Sequence, residues 1–185
     1  MLENEVIYMI EKDPWRMNVL KTVESLRLPD WWVCAGFVRS KVWDELHGFD
    51  ERTELADVDV IYFDDSQIDE SIEKNVEEQL KISMPNVPWS VKNQARMHIV
   101  NQFPPYASSI DAISKFPETV TAVGVSLNEQ QQVILTAPHG LEDLFLCEIK
   151  PTPIFSQEPQ RTYYEDRIQR KNWSATWPKV HVKAT

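Results

Sequence analysis

Residues 35–48, AGFVRSKVWDELHG, and residues 56–65, ADVDVIYFDD, decide the fold. The first stretch leaves an apolar run, WWVCA at 31–35, and turns at Gly36 into a segment where Val38, Val42 and Leu46 recur on one helical stripe, with Gly48 just past its end. That pattern predicts a buried strand feeding a helix. The second stretch opens on two carboxylates two residues apart and then becomes apolar. In a strand, residues two apart face the same way, so Asp57, Asp59, Ile61 and Phe63 share one face while Val58, Val60 and Tyr62 share the other. Both acids are therefore expected at the rim of a sheet, above its core.

Around these two stretches the chain alternates between helical and strand patterns. Helices are predicted over 2–11 and 15–27, with Pro14 opening the second. Another is predicted from near Ser66, where Ile72, Val76 and Leu80 repeat every four residues. VPWSV at 87–91 reads as a short strand, NQARMHIVNQF after it as a helix, and PPYASSIDAISKFP as a short helix capped by Ser108 or Ser109. TVTAVGVSL and QQVILTA flank NEQQ as a hairpin, HGLEDLFLCEI gives one helical turn and a strand, and PQRTYYEDRIQRKNW closes with a helix. The expected fold class is α+β, a mixed sheet with helices packed on it. A single domain is expected over 1–185, with a helical N-terminal segment at 1–28 and a basic helical segment at 159–185.

Bulk composition narrows the function. The chain has 185 residues, 42% of them hydrophobic, enough for one domain with a real core. No apolar run reaches the roughly 18 residues of a membrane span, and the acidic start MLENEVIYMI lacks the basic region of a secretory signal, so a cytoplasmic protein is expected. Cys34 and Cys147 lie in apolar contexts and read as small buried residues. The net charge of −10 disfavours long nucleic acid as a partner. From Arg161 onward, however, six basic residues face two acidic ones, so that segment either contacts phosphates or is a solvated helix and tail.

Paired carboxylates repel unless a cation lies between them, and Mg²⁺ takes one or two protein carboxylates together with substrate phosphates. Asp57 and Asp59 are thus candidate ligands for Mg²⁺ (or Mn²⁺), against the alternative of solvated acids on an edge strand. Gly36 adds a helix N-terminus where free amides and the absence of a side chain let a phosphate approach. Arg39 lies one turn into that helix; a phosphate contact and an exposed surface arginine are both open readings. In VKNQARMH, Lys92 and Arg96 could clamp phosphates and Asn93 and Gln94 could read a base or ribose, with a helix cap at Asn93 as the competing reading. Trp31, Trp32, Trp43 and Trp89 are read chiefly as core.

Together these residues resemble the nucleotidyltransferase superfamily of DNA polymerase beta and the CCA-adding enzymes. AGFVRSKVWDELHG is similar to the G-G-x-V-R-D-x-L-L-G run of the CCA-adding enzymes, with Ala35 in place of the first glycine and Ser40 in place of the acid. DVDVIYFD, PWSVKNQARMH, PPYASSIDAISKFPETVTAVGV and APHGLEDLF resemble blocks of a bacterial nucleotidyltransferase-like family of unassigned substrate, covering roughly 15–178. The resemblance implies the minimal nucleotidyltransferase fold, with Asp57 and Asp59 as catalytic metal ligands. It also implies Gly36 at the phosphates of a nucleoside triphosphate substrate; Phe37, Arg39, Ser40, Lys92, Asn93 and Arg96 are the further candidate nucleotide contacts. The acceptor is an unknown small molecule or protein carrying a hydroxyl-type group. Ser90 stands where the superfamily has a third carboxylate, with Asp64, Asp65 or Asp111 as possible stand-ins. A catalytically degenerate nucleotide-binding or protein-interaction module is the alternative.

Overall fold

The computed structural model describes residues 1–183; Ala184 and Thr185, the end of the predicted basic segment, lie outside them. The chain begins with α1 (Leu2–Glu11) and α2 (Pro14–Glu24). Asp13 caps α2 by accepting the Arg16 amide, and Pro14 occupies the first turn, where a missing N–H costs nothing. β1 (Trp32–Cys34) runs directly into α3 (Gly36–His47), which stops at Gly48 in the left-handed conformation. β2 (Val58–Tyr62) follows, then α4 (Glu70–Ser83), β3 (Trp89–Asn93) and α5 (Gln94–Asn101). α4 begins later than its apolar period suggested, because Asp69 provides the cap for Ser71.

α6 (Ser109–Ile113) is capped by Ser108. The expected hairpin is β4 (Gly124–Leu127) and β5 (Val133–Thr136). One helical turn, α7 (Glu142–Phe145), precedes β6 (Glu148–Ile149), and α8 (Gln160–Lys171) precedes β7 (His181–Val182). The main sheet has the order β3-β2-β1-β4-β5, with β2 and β3 parallel and the other neighbours antiparallel. A separate ladder joins β6 to β7, which brings the chain's last described residues back onto the fold.

One face of the sheet, carrying Val33, Val58, Val60, Val91 and Val125, belongs to the large core formed with the helices. Buried apolar area at about 25 cal/mol per Å² is what holds this layer together. The four tryptophans at 31, 32, 43 and 89 are all buried, as expected of core residues. Arg16 is wholly buried as well: its Nε donates to the Phe37 carbonyl at 3.0 Å and its Nη2 to Ser40 Oγ at 3.2 Å, pinning α2 to the first turn of α3. Trp43 Nε1 donates to the Leu144 carbonyl at 3.0 Å, and Trp177 Nε1 to Asp44 Oδ1 at 2.8 Å, so α3 is the spine to which the C-terminal third attaches.

Asn93 closes β3 and starts α5. Its carboxamide oxygen accepts the amides of Ala95 and Asp64, and its nitrogen donates to the carbonyls of Asp64 and Gln67. With four hydrogen bonds in a buried position, Asn93→Ala should lower the unfolding free energy by about 2–4 kcal/mol. Urea denaturation checks this, and a loss of less than about 0.5 kcal/mol would contradict the role.

Candidate active site

Strand register builds the site. Asp59 lies opposite Cys34 on the antiparallel side and opposite Ser90 on the parallel side, and Cys34 lies opposite Gly124. On this second face, Trp32, Cys34, Ala35 and Ile61 form a smaller apolar cluster with Ile113 and Ala122. Gly124 is needed for this packing, since a Cβ there would come within 3.0 Å of Cys34 Sγ and 3.2 Å of Ile113 Cδ1. The acids therefore sit at the rim of an apolar patch, as their alternation required. Asp57, just ahead of β2, is exposed, and Asp59 is half-buried.

Burial, then the neighbouring charge of Asp57, pushes the Asp59 carboxyl up to about 6, while a hydrogen bond with Ser90 and the cations Arg167 and Lys171 pull the other way. The Cys34 thiol is pushed well above its ordinary range, first by burial and then by Asp59 and Asp30, which keeps it inert.

The turn from β1 to α3 contains no spare residue. Ala35 carries it with φ 53° and ψ −117°, a conformation glycine adopts with far less strain. This is where the resembling motif has its first glycine. Gly36 behaves differently. Its φ is not positive, and a Cβ there would meet only Arg39 Nη2 at 3.6 Å and Leu55 Cδ2 at 4.0 Å, both ordinary contacts. The protein does not itself require glycine at 36. The Ala35 carbonyl accepts the amides of Val38 and Arg39, while the amides of Gly36 and Phe37 have no intrahelical acceptor, as at any helix start.

A cavity of about 540 Å³ opens beside Asp59 and Ala35. Ile61 and Lys92 belong to its floor, Gln94 and Met97 of α5 to one wall, and Tyr163 and Arg167 of α8 to another. Phe103, Tyr106, Phe116 and Phe155 give its lining an aromatic part. Arg39 is buried, not a surface arginine. Its guanidinium lies 4.1 Å from the Trp173 ring centroid, with Trp43 at 5.2 Å and Trp177 at 5.8 Å. Burial pulls its pKa down to about 10, and the carboxylates of Glu118, Asp57 and Asp59 hold it up, so it is a cation at neutral pH.

Phe37, Ser40, Asn93 and Arg96 are not among the residues lining this cavity, whereas Lys92 is. Phe37 is buried against Trp15, with ring centroids 5.9 Å apart, which leaves only its backbone amide for a ligand. Ser40 is fully buried; its hydroxyl donates to the Gly36 carbonyl at 2.7 Å and accepts from Arg16. Asn93 is the helix cap described above. Arg96 grips the buried Glu73 with both Nε, at 2.7 Å, and Nη2, at 2.9 Å. Lys92 Nζ lies 3.8 Å from the same carboxylate and also lines the cavity.

Asp64 caps Ser66, and Asp111 bonds Lys115 and the Ala107 amide, so neither completes a carboxylate triad. Among the described residues, no group of three His, Cys, Asp or Glu side chains is gathered as a metal cluster. Arg167 and Tyr163 were not singled out in the sequence, although their spacing of four on a basic helix was the available signal.

The comparisons with known proteins agree with this geometry. Residues 21–182 match a nucleotidyltransferase family, and the chain belongs to it. A protein whose NMR structure reveals a CCA-adding enzyme head domain is 35% identical, with a TM-score of 0.88 over 98% of this chain and 96% of that one. A CCA-adding enzyme in complex with CTP is 13% identical, with a TM-score of 0.60; the match covers 98% of this chain and 43% of that one. The Thermotoga maritima CCA-adding enzyme complexed with tRNA is 16% identical, with a TM-score of 0.55, and 99% of this chain covers 42% of it. These two likenesses show the fold alone. No curated protein sequence matches the chain. No helix among the described residues is long and apolar enough to cross a membrane.

The raised Asp59 carboxyl makes a pH prediction. Its folded value of about 6 lies above the ordinary 3.8, so the native state holds this proton more tightly. That contribution to stability is fully present below about pH 4 and is lost as pH rises through about 6. With allowance for solvent at a half-buried site, Asp59→Asn should raise stability by about 1–2 kcal/mol near neutral pH and change it little near pH 4. Chemical denaturation at the two pH values reads the difference, and an equal effect at both would refute it.

Proposed function

We propose that this nucleotidyltransferase is metal-dependent and transfers a nucleoside monophosphate from a nucleoside triphosphate to a hydroxyl-type group on a small molecule or protein. The observation that carries this reading is a glycine with no structural need, placed at a helix start beside a rim pair of carboxylates. Room that the protein leaves unused at Gly36 is room for a ligand, and unpaired amides at a helix N-terminus suit a phosphate.

The donor set fits Mg²⁺ or Mn²⁺. Asp57 and Asp59 supply hard anionic oxygens and Ser90 a neutral one; burial is the larger cause of Asp59's rise, and the smaller part that comes from Asp57's charge is what a cation would relieve. Asp57 and Asp59 would hold the ion, which supplies charge neutralisation at the phosphates. The amides of Gly36 and Phe37 receive a phosphate, the buried Arg39 contributes fixed positive potential, and Lys92 adds a cation in the cavity lining. The aromatic part of the cavity lining accommodates a base or a flat acceptor. In the reaction the acceptor hydroxyl gives up its proton to water, its oxygen forms a bond to the α-phosphorus, the bond from that phosphorus to the β-phosphate oxygen breaks, and pyrophosphate leaves. Ser40, Asn93 and Arg96 serve the fold around these groups.

A second reading, nucleotide binding without turnover, is favoured by Ser90, which lies opposite Asp59 in the register where a third acid is expected.

Amide NMR shifts during titration with Mn²⁺-free Mg²⁺ and each nucleoside triphosphate test the site. Shifts should centre on Gly36, Asp57 and Asp59 and vanish in Asp57→Asn/Asp59→Asn; no shift there at millimolar ligand would defeat both readings. Gly36→Ala sharpens the test. It should keep or slightly raise thermal stability, since alanine is the better helix former by up to about 1 kcal/mol, while weakening nucleotide binding at least about tenfold. Unchanged affinity in that variant would remove Gly36 from the phosphate site.

A further inference from the structure

The C-terminal helix closes the cavity with a cation that the protein holds in place at some cost. Tyr163 and Arg167, four residues apart on α8, both line the cavity containing Asp59. The Arg167 side chain is only 23% exposed, and its Nε lies 2.6 Å from Glu118 Oε1. Glu118 has no exposed surface. Its other carboxylate oxygen accepts the Thr121 hydroxyl at 2.7 Å, and its carbonyl accepts the amides of Thr121 at 3.1 Å and Ala122 at 3.0 Å. The backbone of Glu118 also bridges to Pro151. The carboxylate is thus fixed before it meets the arginine, and one of its two oxygens is spent on holding that side chain.

A buried ion pair rarely stabilises a fold more than an apolar pair of the same size would. Stability therefore does not account for placing this pair against a cavity that already contains Asp59. A guanidinium has five N–H donors in a planar fork. Glu118 takes Nε, which orients the fork, and Tyr163, which also hydrogen-bonds Arg167, stands beside it in the cavity lining. A fork of this shape matches the oxygens of a phosphate with two parallel hydrogen bonds, which an ammonium cannot do. Burial alone would make Arg167 less basic, but Glu118 overcomes it and the net shift is upward, so the charge is permanent.

We propose that Arg167 binds the polyphosphate chain of the nucleotide in this cavity, with Glu118 as its positioning residue. The C-terminal segment is then part of the site in the same chain, not a solvated tail. This rests on the reading of the cavity as the nucleotide site. It also adds a phosphate ligand remote in sequence from Gly36, so a chain of phosphates could be held at two points rather than one.

Calorimetric titration with the four nucleoside triphosphates, the matching monophosphates and inorganic tripolyphosphate tests it on the full chain. Arg167→Lys keeps the charge and the ion pair, and should weaken triphosphate and tripolyphosphate binding about tenfold while moving monophosphate affinity less than about twofold. Glu118→Gln should weaken the same two ligands by about threefold to tenfold. The double variant Glu118→Gln/Arg167→Gln keeps a neutral hydrogen-bonded pair, so it should melt near the native temperature and still lose the binding. If native protein binds triphosphate and Arg167→Lys and the double variant bind it equally well, the proposal falls while the nucleotide reading stands. Equal losses for mono- and triphosphate also overturn it. Tripolyphosphate binding that needs Arg167, without any nucleotide binding, supports the proposal and ends the nucleotide reading; binding of neither ends both.

Discussion

The register of β2 is the constraint on which the site depends. Val58 and Val60 are fully buried on the helix-covered face, and the residues between and before them are Asp59 and Asp57. A slip of one residue would turn both acids into the valine-packed core and expose the valines. Placing ionised carboxylates in that core without partners would cost several kcal/mol each, so the apolar pattern of one face fixes the chemistry of the other. The same register sets Asp59 between Cys34 and Ser90, neither of which offers a charge. Asp59 therefore feels burial and the repulsion of Asp57, offset by the Ser90 hydroxyl and by the cations Arg167 and Lys171 of α8.

Positive charge reaches this face through side chains that the fold buries. Arg39 comes from the helix that begins at the acid-bearing rim and is surrounded by indole rings from α3 and from the C-terminal segment. Arg167 comes from α8, lines the cavity and is held by Glu118. Neither can swing away as a surface lysine can, so their field acts in a fixed direction. A fixed cation costs little reorganisation when an anion arrives, which makes it worth more than a mobile one in a site shielded from water. Lys92 is the contrast: it lies 3.8 Å from Glu73 and its side chain is 32% exposed.

The sequence made the scaffold legible and left half of the electrostatics hidden. The period of two in DVDVIYF and the stripe of Val38, Val42 and Leu46 sorted core from rim because burial follows local periodicity. Asn93 was legible as a cap because Asn at a strand–helix junction has a local role. Arg39 was left open between a phosphate contact and a surface arginine: its burial depends on Trp173 and Trp177, more than 130 residues away, and no local pattern reports such contacts. Glu118 and Arg167 pose the same difficulty, with a sequence separation of 49. Ala35 shows the reverse case. Its departure from glycine was visible in the sequence, but the positive φ that makes the departure costly was not.

The hydroxyl at Ser90 changes more than the count of ligands. With two carboxylates and a neutral oxygen, the rim carries two negative charges at most, and one of them is present only above about pH 6. A divalent ion bound there alone gains less than it would from three acids, because Coulomb attraction scales with the charge that faces it. A nucleotide's phosphates restore what the protein lacks, since their oxygens are hard anionic ligands of the same kind. On the proposed reading, metal and nucleotide therefore arrive as a pair and each raises the affinity for the other, a reciprocity that thermodynamic linkage requires. The site's dependence on its substrate for the missing charge also makes the fixed cations at Arg39 and Arg167 more important, because they oppose the phosphates without competing for the ion.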